Sequence, residues 1–194
     1  MDPDLGPTRF AAVILAGGGA VRLDGADKSS IEHAGRTLLD WTIDALLDAE
    51  EVVVVGEARP TSRPVTFTLE DPRHGGPVAG LLTGYDALAR RPRTLGVLAV
   101  DMPRVTAHTF RRLHDAARGR DGAFLADGSG RRQLAGVLDT DRLDAVRPGL
   151  EEQHGMSVRR LLDGLDLALV PPSGDESRDV DTWADVRDLQ QPEG

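Results

Sequence analysis

Cysteine is absent from the 194 residues, which excludes disulfides, thiolate metal sites and cysteine nucleophiles. Lysine is almost as scarce: of 23 Lys and Arg residues, Lys28 is the one lysine. Aromatic residues make up 4%, so a core has to be built from Val, Leu, Ala and Ile. No apolar run approaches the ~18 residues a membrane span requires. The opening Met1 to Pro7 has neither the basic patch nor the apolar stretch of a signal peptide. A soluble cytoplasmic protein is the expectation, with residues 1–8 as a disordered lead-in. The histidines, His33, His74, His108, His114 and His154, show no metal-ligand spacing and read as surface residues. Net charge is −9, which disfavours non-specific nucleic-acid binding. An acidic chain that handles phosphates needs a local exception to its own field.

What is present points to one domain over residues 9–190. Hydrophobic residues are 40% of the chain, enough for a core at this length. Phe10 to Ala16, Val52 to Val55 and Leu95 to Val100 are short, wholly apolar runs that stop at Gly or Asp, the pattern of central parallel strands. Val65 to Leu69, Gly122 to Ala126, Gln133 to Leu138 and Leu167 to Val170 read as further strands. Helical spacing predicts helices over Leu38 to Leu47, Val78 to Leu88, Phe110 to Ala117, Leu143 to Val146 and Val158 to Leu165. A last helix, Trp183 to Leu189, takes Thr182 as its N-cap. The alternation implies an α/β class: a three-layer α/β/α domain around a mostly parallel sheet. Ligands of such sheets bind beyond the carboxyl ends of the strands.

The first apolar run ends in Leu15-Ala16-Gly17-Gly18-Gly19-Ala20-Val21-Arg22-Leu23-Asp24-Gly25-Ala26-Asp27-Lys28. Glycines let the backbone approach a ligand closely, and successive exposed N–H groups form a nest for phosphate oxygens. A P-loop would need Gly-Lys-Ser/Thr at a fixed gap, and a dinucleotide fingerprint would need Gly where Arg22 stands. Neither pattern is met. The solitary Lys28 in this stretch is the local positive charge that the bulk composition withholds elsewhere. Arg22 either adds to it or pairs with Asp24 or Asp27.

This loop resembles that of the molybdenum cofactor guanylyltransferase family, often called MobA, within the Rossmann-like nucleotidyltransferases. The likeness runs from about Arg9 to Leu189. Asp71 followed by Gly75-Gly76-Pro77-Val78-Ala79-Gly80 is similar to the family's Asp…Gly-Pro-Leu-Ala-Gly segment. Val100-Asp101-Met102-Pro103 resembles its metal-binding aspartate segment. Gln133 to Val137 is similar to Gln-Pro-Leu-Ala-Gly-Val with one residue missing, and Asp179-Val180-Asp181-Thr182 resembles the late motif. Three departures stand out: Asp24 where Gly is usual, no amide side chain at Val55 or Gly56, and Trp183-Ala184 where Pro-Glu is common.

The resemblance implies transfer of GMP from GTP to the phosphate of Mo-molybdopterin, with release of pyrophosphate and Mg²⁺ as cofactor. It implies that Leu15, Ala16 and Gly17 contact the nucleotide and that Gly18 completes the loop. Lys28 and Asp71 would be further nucleotide contacts, and Asp101 the metal ligand. Leu-Ala-Gly-Gly, where cytidylyl-using relatives have Leu-Ala-Ala-Gly, favours GTP over CTP. Asp181 is either a second, outer metal ligand or, with Asp179, a bracket at the start of the last helix. The pairs Arg111-Arg112, Arg131-Arg132 and Arg159-Arg160 read as solvated faces, the last two being candidates to grip the acceptor's phosphate. Transient contact with other cofactor-biosynthesis or acceptor proteins also fits. Two rival readings remain: a cytidylyl- or sugar-phosphate nucleotidyltransferase, and a non-catalytic nucleotide-binding regulatory domain.

Overall fold

The computed structural model describes residues 9–17 and 27–189. The expected lead-in at residues 1–8, and Gly18, Arg22 and Asp24, lie outside the described residues.

Seven strands form one sheet in the order β5-β4-β1-β6-β8-β7-β9. They are β1 (Phe10–Leu15), β4 (Glu51–Val55), β5 (Thr66–Thr68), β6 (Thr94–Ala99), β7 (Gly122–Ala126), β8 (Arg132–Asp139) and β9 (Leu167–Val170). The apolar runs make the centre: β1 is buried along its whole length and pairs parallel with β4 on one side and β6 on the other. β4 pairs parallel with β5, and β7 with β9. β8 alone runs antiparallel, to both β6 and β7, so the sheet is mostly parallel.

Alternation along the strands assigns side chains to two faces. Ala12, Ile14 and Leu98 meet Leu39, Ile43, Phe110 and Leu113, which belong to α1 (Leu38–Ala45) and α3 (Ala107–Ala116). Val13, Leu15 and Val97 meet Leu81, Tyr85, Leu143 and Leu161, from α2 (Pro77–Asp86), α4 (Thr140–Ala145) and α6 (Val158–Leu161). Burying each large apolar side chain contributes about 1.5–3 kcal/mol, and both sheet faces collect it. At Gly84 α2 lies so near the sheet that an added Cβ would sit 2.5 Å from Val13 Cγ1 and 2.8 Å from Val55 Cγ2. The three-layer α/β/α reading holds.

Differences from the sequence reading are local. A small hairpin, β2 (Glu32–His33) and β3 (Arg36–Thr37), and a short helix, α5 (Leu150–Gln153), were not expected. α3 starts at Ala107, earlier than its first large apolar residue, because Thr106 and Thr109 form a reciprocal capping box. α6 is shorter than predicted, and Gly164 has a positive φ of 93° soon after it. α7 (Trp183–Leu189) has the expected bounds, and Thr182 Oγ1 accepts from the Asp185 N–H at its start. Two histidines are not surface residues. His33 is half-buried, and His114 packs edge-on against Phe10 with centroids 4.6 Å apart. Burial pushes the His114 imidazole below its ordinary pKa, against the opposing charges of Asp115 and Asp48.

Candidate active site

The site is assembled where β1 and β6 stop. Past the end of β1 the chain stays tied to both neighbours: Ala16 N–H donates to the Val55 carbonyl at 3.0 Å, and Val100 N–H to the Leu15 carbonyl at 3.1 Å. Leu15 is buried, Ala16 half-buried and Gly17 exposed. Among the described residues, a Cβ on Gly17 would find the Val55 carbonyl, at 3.7 Å, in ordinary contact.

Gly75 and Gly76 behave differently. Gly76 has φ 93°, a conformation that disfavours any Cβ. A Cβ on Gly75 would sit 2.7 Å from both the Pro72 carbonyl and Ala79 Cβ. Backbone geometry therefore explains this pair. Gly76 is the N-cap of α2, which has Pro77 in its first turn and no side-chain cap for its first N–H groups. Asp71 is exposed. Its backbone N–H donates to Thr83 Oγ1 at 3.1 Å, and Thr83 donates back to the Asp71 carbonyl at 3.3 Å, which fixes the segment beside α2.

Lys28 opens a 3₁₀ turn, Lys28–Ser30, whose N-cap is Asp27. Asp27 Oδ1 accepts from the Ser29 N–H at 3.0 Å and the Ser29 hydroxyl at 2.6 Å, while Arg59 holds its other oxygen. Asp27 thus pairs with Arg59, a residue the sequence reading did not single out. Burial pushes the Asp27 carboxyl up, but the bonds from Ser29 and Arg59 outweigh it and hold it below its ordinary value. Behind the turn Ile31 enters a small core with Leu38, Val180 and Val186.

The turn aims Lys28 at two carboxylates. Its Nζ donates to Asp101 Oδ2 at 3.0 Å and to Asp181 Oδ1 at 2.6 Å. Burial alone would lower its pKa, but hydrogen bonds and charge from Asp181 and Asp101 outweigh it and raise it, so it is an ammonium at neutral pH. Asp101 follows β6 and is flanked by buried Val100 and Met102, which leaves its carboxylate the outward-pointing group of the segment. Asp181 arrives because Val180 is fully buried and its N–H donates to the Asp101 carbonyl at 2.8 Å. Asp181 stands just before α7, as the bracket reading had it, and its carboxylate meets the Lys28 ammonium.

Asp179 is exposed nearby. Burial, then the charges of Asp181 and Asp101, push its carboxyl above the ordinary value, with Lys28 opposing. Among the described residues, Asp101, Asp179 and Asp181 thus carry more negative charge at this corner than the Lys28 ammonium balances. Among the described residues no group of three or more His, Cys, Asp or Glu closes into a metal cage. Asp101 and Asp181 offer oxygen donors of the kind Mg²⁺ takes, one or two carboxylates with water and phosphate oxygens completing the shell. Val55 turns its methyls toward Gly80 and Gly84, so no side-chain amide comes from that position.

Residues 12–169 match the family model described as MobA-like NTP transferase domain. A probable molybdenum cofactor guanylyltransferase of Opitutus terrae is 34% identical over 69% of this chain and 68% of its own length. A molybdenum cofactor guanylyltransferase of Mesorhizobium japonicum is 30% identical over 79% of this chain and 78% of its own. Among solved structures, a nucleotidyl transferase from Methanothermobacter superposes with a TM-score of 0.74 at 21% identity, covering 94% of this chain and 96% of that one. That last likeness concerns the fold. No helix among the described residues is long and apolar enough to cross a membrane.

Proposed function

The chain belongs to the MobA-like NTP transferase family, and from that premise we propose that it moves GMP from GTP to the phosphate of Mo-molybdopterin, in the cytoplasm, with Mg²⁺ as cofactor. The observation that carries this reading is Lys28 held between Asp101 and Asp181 at the ends of the central strands. The names of the relatives in Opitutus terrae and Mesorhizobium japonicum support the choice of acceptor and nucleotide.

In the proposed reaction an oxygen of the acceptor's phosphate attacks the α-phosphorus of GTP. The bond from that phosphorus to the bridging oxygen breaks, and pyrophosphate leaves with the electron pair. The attacking group is already an anion, so no strong general base is needed, in keeping with a chain that has no cysteine. Such a step is served mainly by positioning and charge neutralisation.

Lys28 is the group for that task. Its ammonium is compact and can follow a phosphoryl oxygen as charge builds. Leu15, Ala16, Gly17 and Gly18 would line the nucleotide, with Arg22 adding positive charge. Asp71 would accept hydrogen bonds from base or ribose beside α2. Asp101 and Asp181 would hold magnesium, whose chemistry is to neutralise and align the phosphates. The excess negative charge at Asp101, Asp179 and Asp181 suits a dication there.

The test is to incubate the protein with Mg²⁺, Mo-molybdopterin and each nucleoside triphosphate in turn. Pyrophosphate release should require GTP, and mass spectrometry should find a guanylylated pterin. Turnover with CTP and not GTP would overturn the guanine assignment. Tight GTP binding without any pyrophosphate would favour the regulatory-domain reading.

A further inference from the structure

β8 is the reversed strand, so its beginning, rather than its end, lies at the rim where the parallel strands stop. Leu98 of β6 pairs with Ala135, and β8 continues back from there to Arg132, which faces Ala126 at the end of β7. Leu134 and Leu138 pack with Phe124, Val158 and Leu161. The pairing with β7 shifts register between Phe124 and Ala126, and Arg132 lies on the side of Phe124 and those leucines. Its guanidinium lies 5.6 Å from the centroid of the Phe124 ring.

That ring covers a face of the guanidinium but accepts none of its in-plane N–H groups. Nε and Nη1 are buried and have no hydrogen-bond partner among the described residues. Arginine does not shed its charge in proteins, and a buried donor left without an acceptor is a standing free-energy penalty, larger for a charged group. Burial first, then repulsion from Arg159 on α6, depress the Arg132 pKa, and Asp163 only partly opposes them. Two cations thus lie together beside the strand ends, and a guanidinium grips a tetrahedral oxyanion in bidentate fashion through Nη2 paired with either Nε or Nη1, the two donors left unbonded here.

We propose that Arg132, with Arg159 beside it, is the seat of the phosphomonoester dianion that attacks the nucleotide. The inference rests on the guanylyl-transfer reading and deepens it. It gives the acceptor's phosphate a wall of its own, on β8 and α6, separate from the corner of Lys28, Asp101 and Asp181. Two adjacent positive charges would also offset the repulsion between an incoming dianion and a triphosphate.

Binding is measured first with inorganic phosphate as the probe, by ³¹P NMR titration of full-length protein saturated with Mg²⁺ and the α,β-methylene analogue of GTP. Arg132→Gln should weaken phosphate binding by ~10-fold or more and Arg159→Gln by less, with affinity for the GTP analogue kept within ~2-fold. In turnover with GTP and Mo-molybdopterin, Arg132→Gln should raise KM for the pterin and leave KM for GTP unchanged, a split that general loosening of the fold would not give. Should Arg132→Gln fail to bind the analogue, the proposal is judged on Arg159→Gln alone. Wild-type protein that ignores phosphate once the nucleotide site is filled overturns it, as do variants that bind like wild type. If wild type makes no guanylylated pterin, the acceptor identity fails, while the phosphate titration still decides the role of the arginines.

Discussion

Val180 donates its backbone N–H to the carbonyl of Asp101 at 2.8 Å, and with that bond the late segment of the chain is fastened to the end of β6. Val180 is fully buried with Ile31, Leu38 and Val186, so the same small core fixes the turn that carries Lys28 and the segment that carries Asp181. The geometry of the charged corner is set by apolar packing beneath it, and the following outcomes depend on it.

Lys28→Ala and Asp101→Ala should each cut turnover by about 10²–10³-fold, the scale set by removing one transition-state donor. Circular dichroism should remain that of wild type, because both side chains point out of the core. Lys28→Arg should rescue poorly, since the larger, rigid guanidinium cannot follow a phosphoryl oxygen from the position of a compact ammonium. Near-normal rates in the alanine variant of either residue would remove it from the mechanism.

Asp181→Asn keeps an oxygen but loses a charge. It should raise the Mg²⁺ concentration for half-maximal rate by ~10-fold or more, in the range seen when supporting groups of a metal site are changed. Asp179→Asn, tested alongside, should move it far less. A Mg²⁺ titration of initial rates separates the two variants, and equal shifts would remove the distinction between them.

Gly84→Ala puts two effects in opposition. Alanine is favoured over glycine inside a helix by ~1 kcal/mol. The added Cβ would lie 2.5 Å from Val13 Cγ1 and 2.8 Å from Val55 Cγ2, both rigid groups of central strands. Overpacking of that kind costs about 1–3 kcal/mol and should prevail. A urea midpoint lower than wild type is the expected result, and a higher one would mean that α2 can lift from the sheet at no cost.

Glu176 contributes to the acid sensitivity of the fold, alongside Asp27, Asp40, Asp127 and Asp185, whose carboxyls are also held below their ordinary values. Burial pushes the Glu176 carboxyl up, but hydrogen bonds from Thr109, the Ser173 N–H and Arg112 outweigh it and hold the pKa below its ordinary 4.5. A depressed pKa means stability that is full above the unfolded value and lost as pH falls through the folded one. Urea midpoints should therefore decline below about pH 4.5 in wild type, with a shallower decline in Glu176→Gln. At pH 7 that variant should be less stable by about 1–3 kcal/mol.

The layers of the fold were legible because buried parallel strands must be apolar on both faces, and β1, β4 and β6 are. The direction of β8 was not, since alternation along Gln133 to Leu138 reads the same either way. The hairpin of β2 and β3 escaped notice because Glu32, His33, Arg36 and Thr37 carry no apolar pattern; its signal is the turn, where Ala34 and Gly35 have φ of 51° and 76°. At the site, the glycine run and the strand ends pointed to Lys28 and Asp101. The contact of Lys28 with Asp181 spans 153 positions, and no local pattern encodes it. Arg59 was missed for the same reason: its partner, Asp27, is distant in sequence. Gly75 and Gly76 looked alike with Gly17 in sequence; among the described residues the backbone compels the pair and sets no such demand at Gly17.

The antiparallel course of β8 has a consequence for how such a catalyst diversifies. At the rim where β8 begins, one wall is made by chain leaving the sheet after β6, at Asp101, and the other by chain entering it through the turn at 127–131. Lengthening or shortening that inbound turn reshapes one wall without moving the register of β1, so the choice of second substrate is free to drift while the nucleotide end stays as it is.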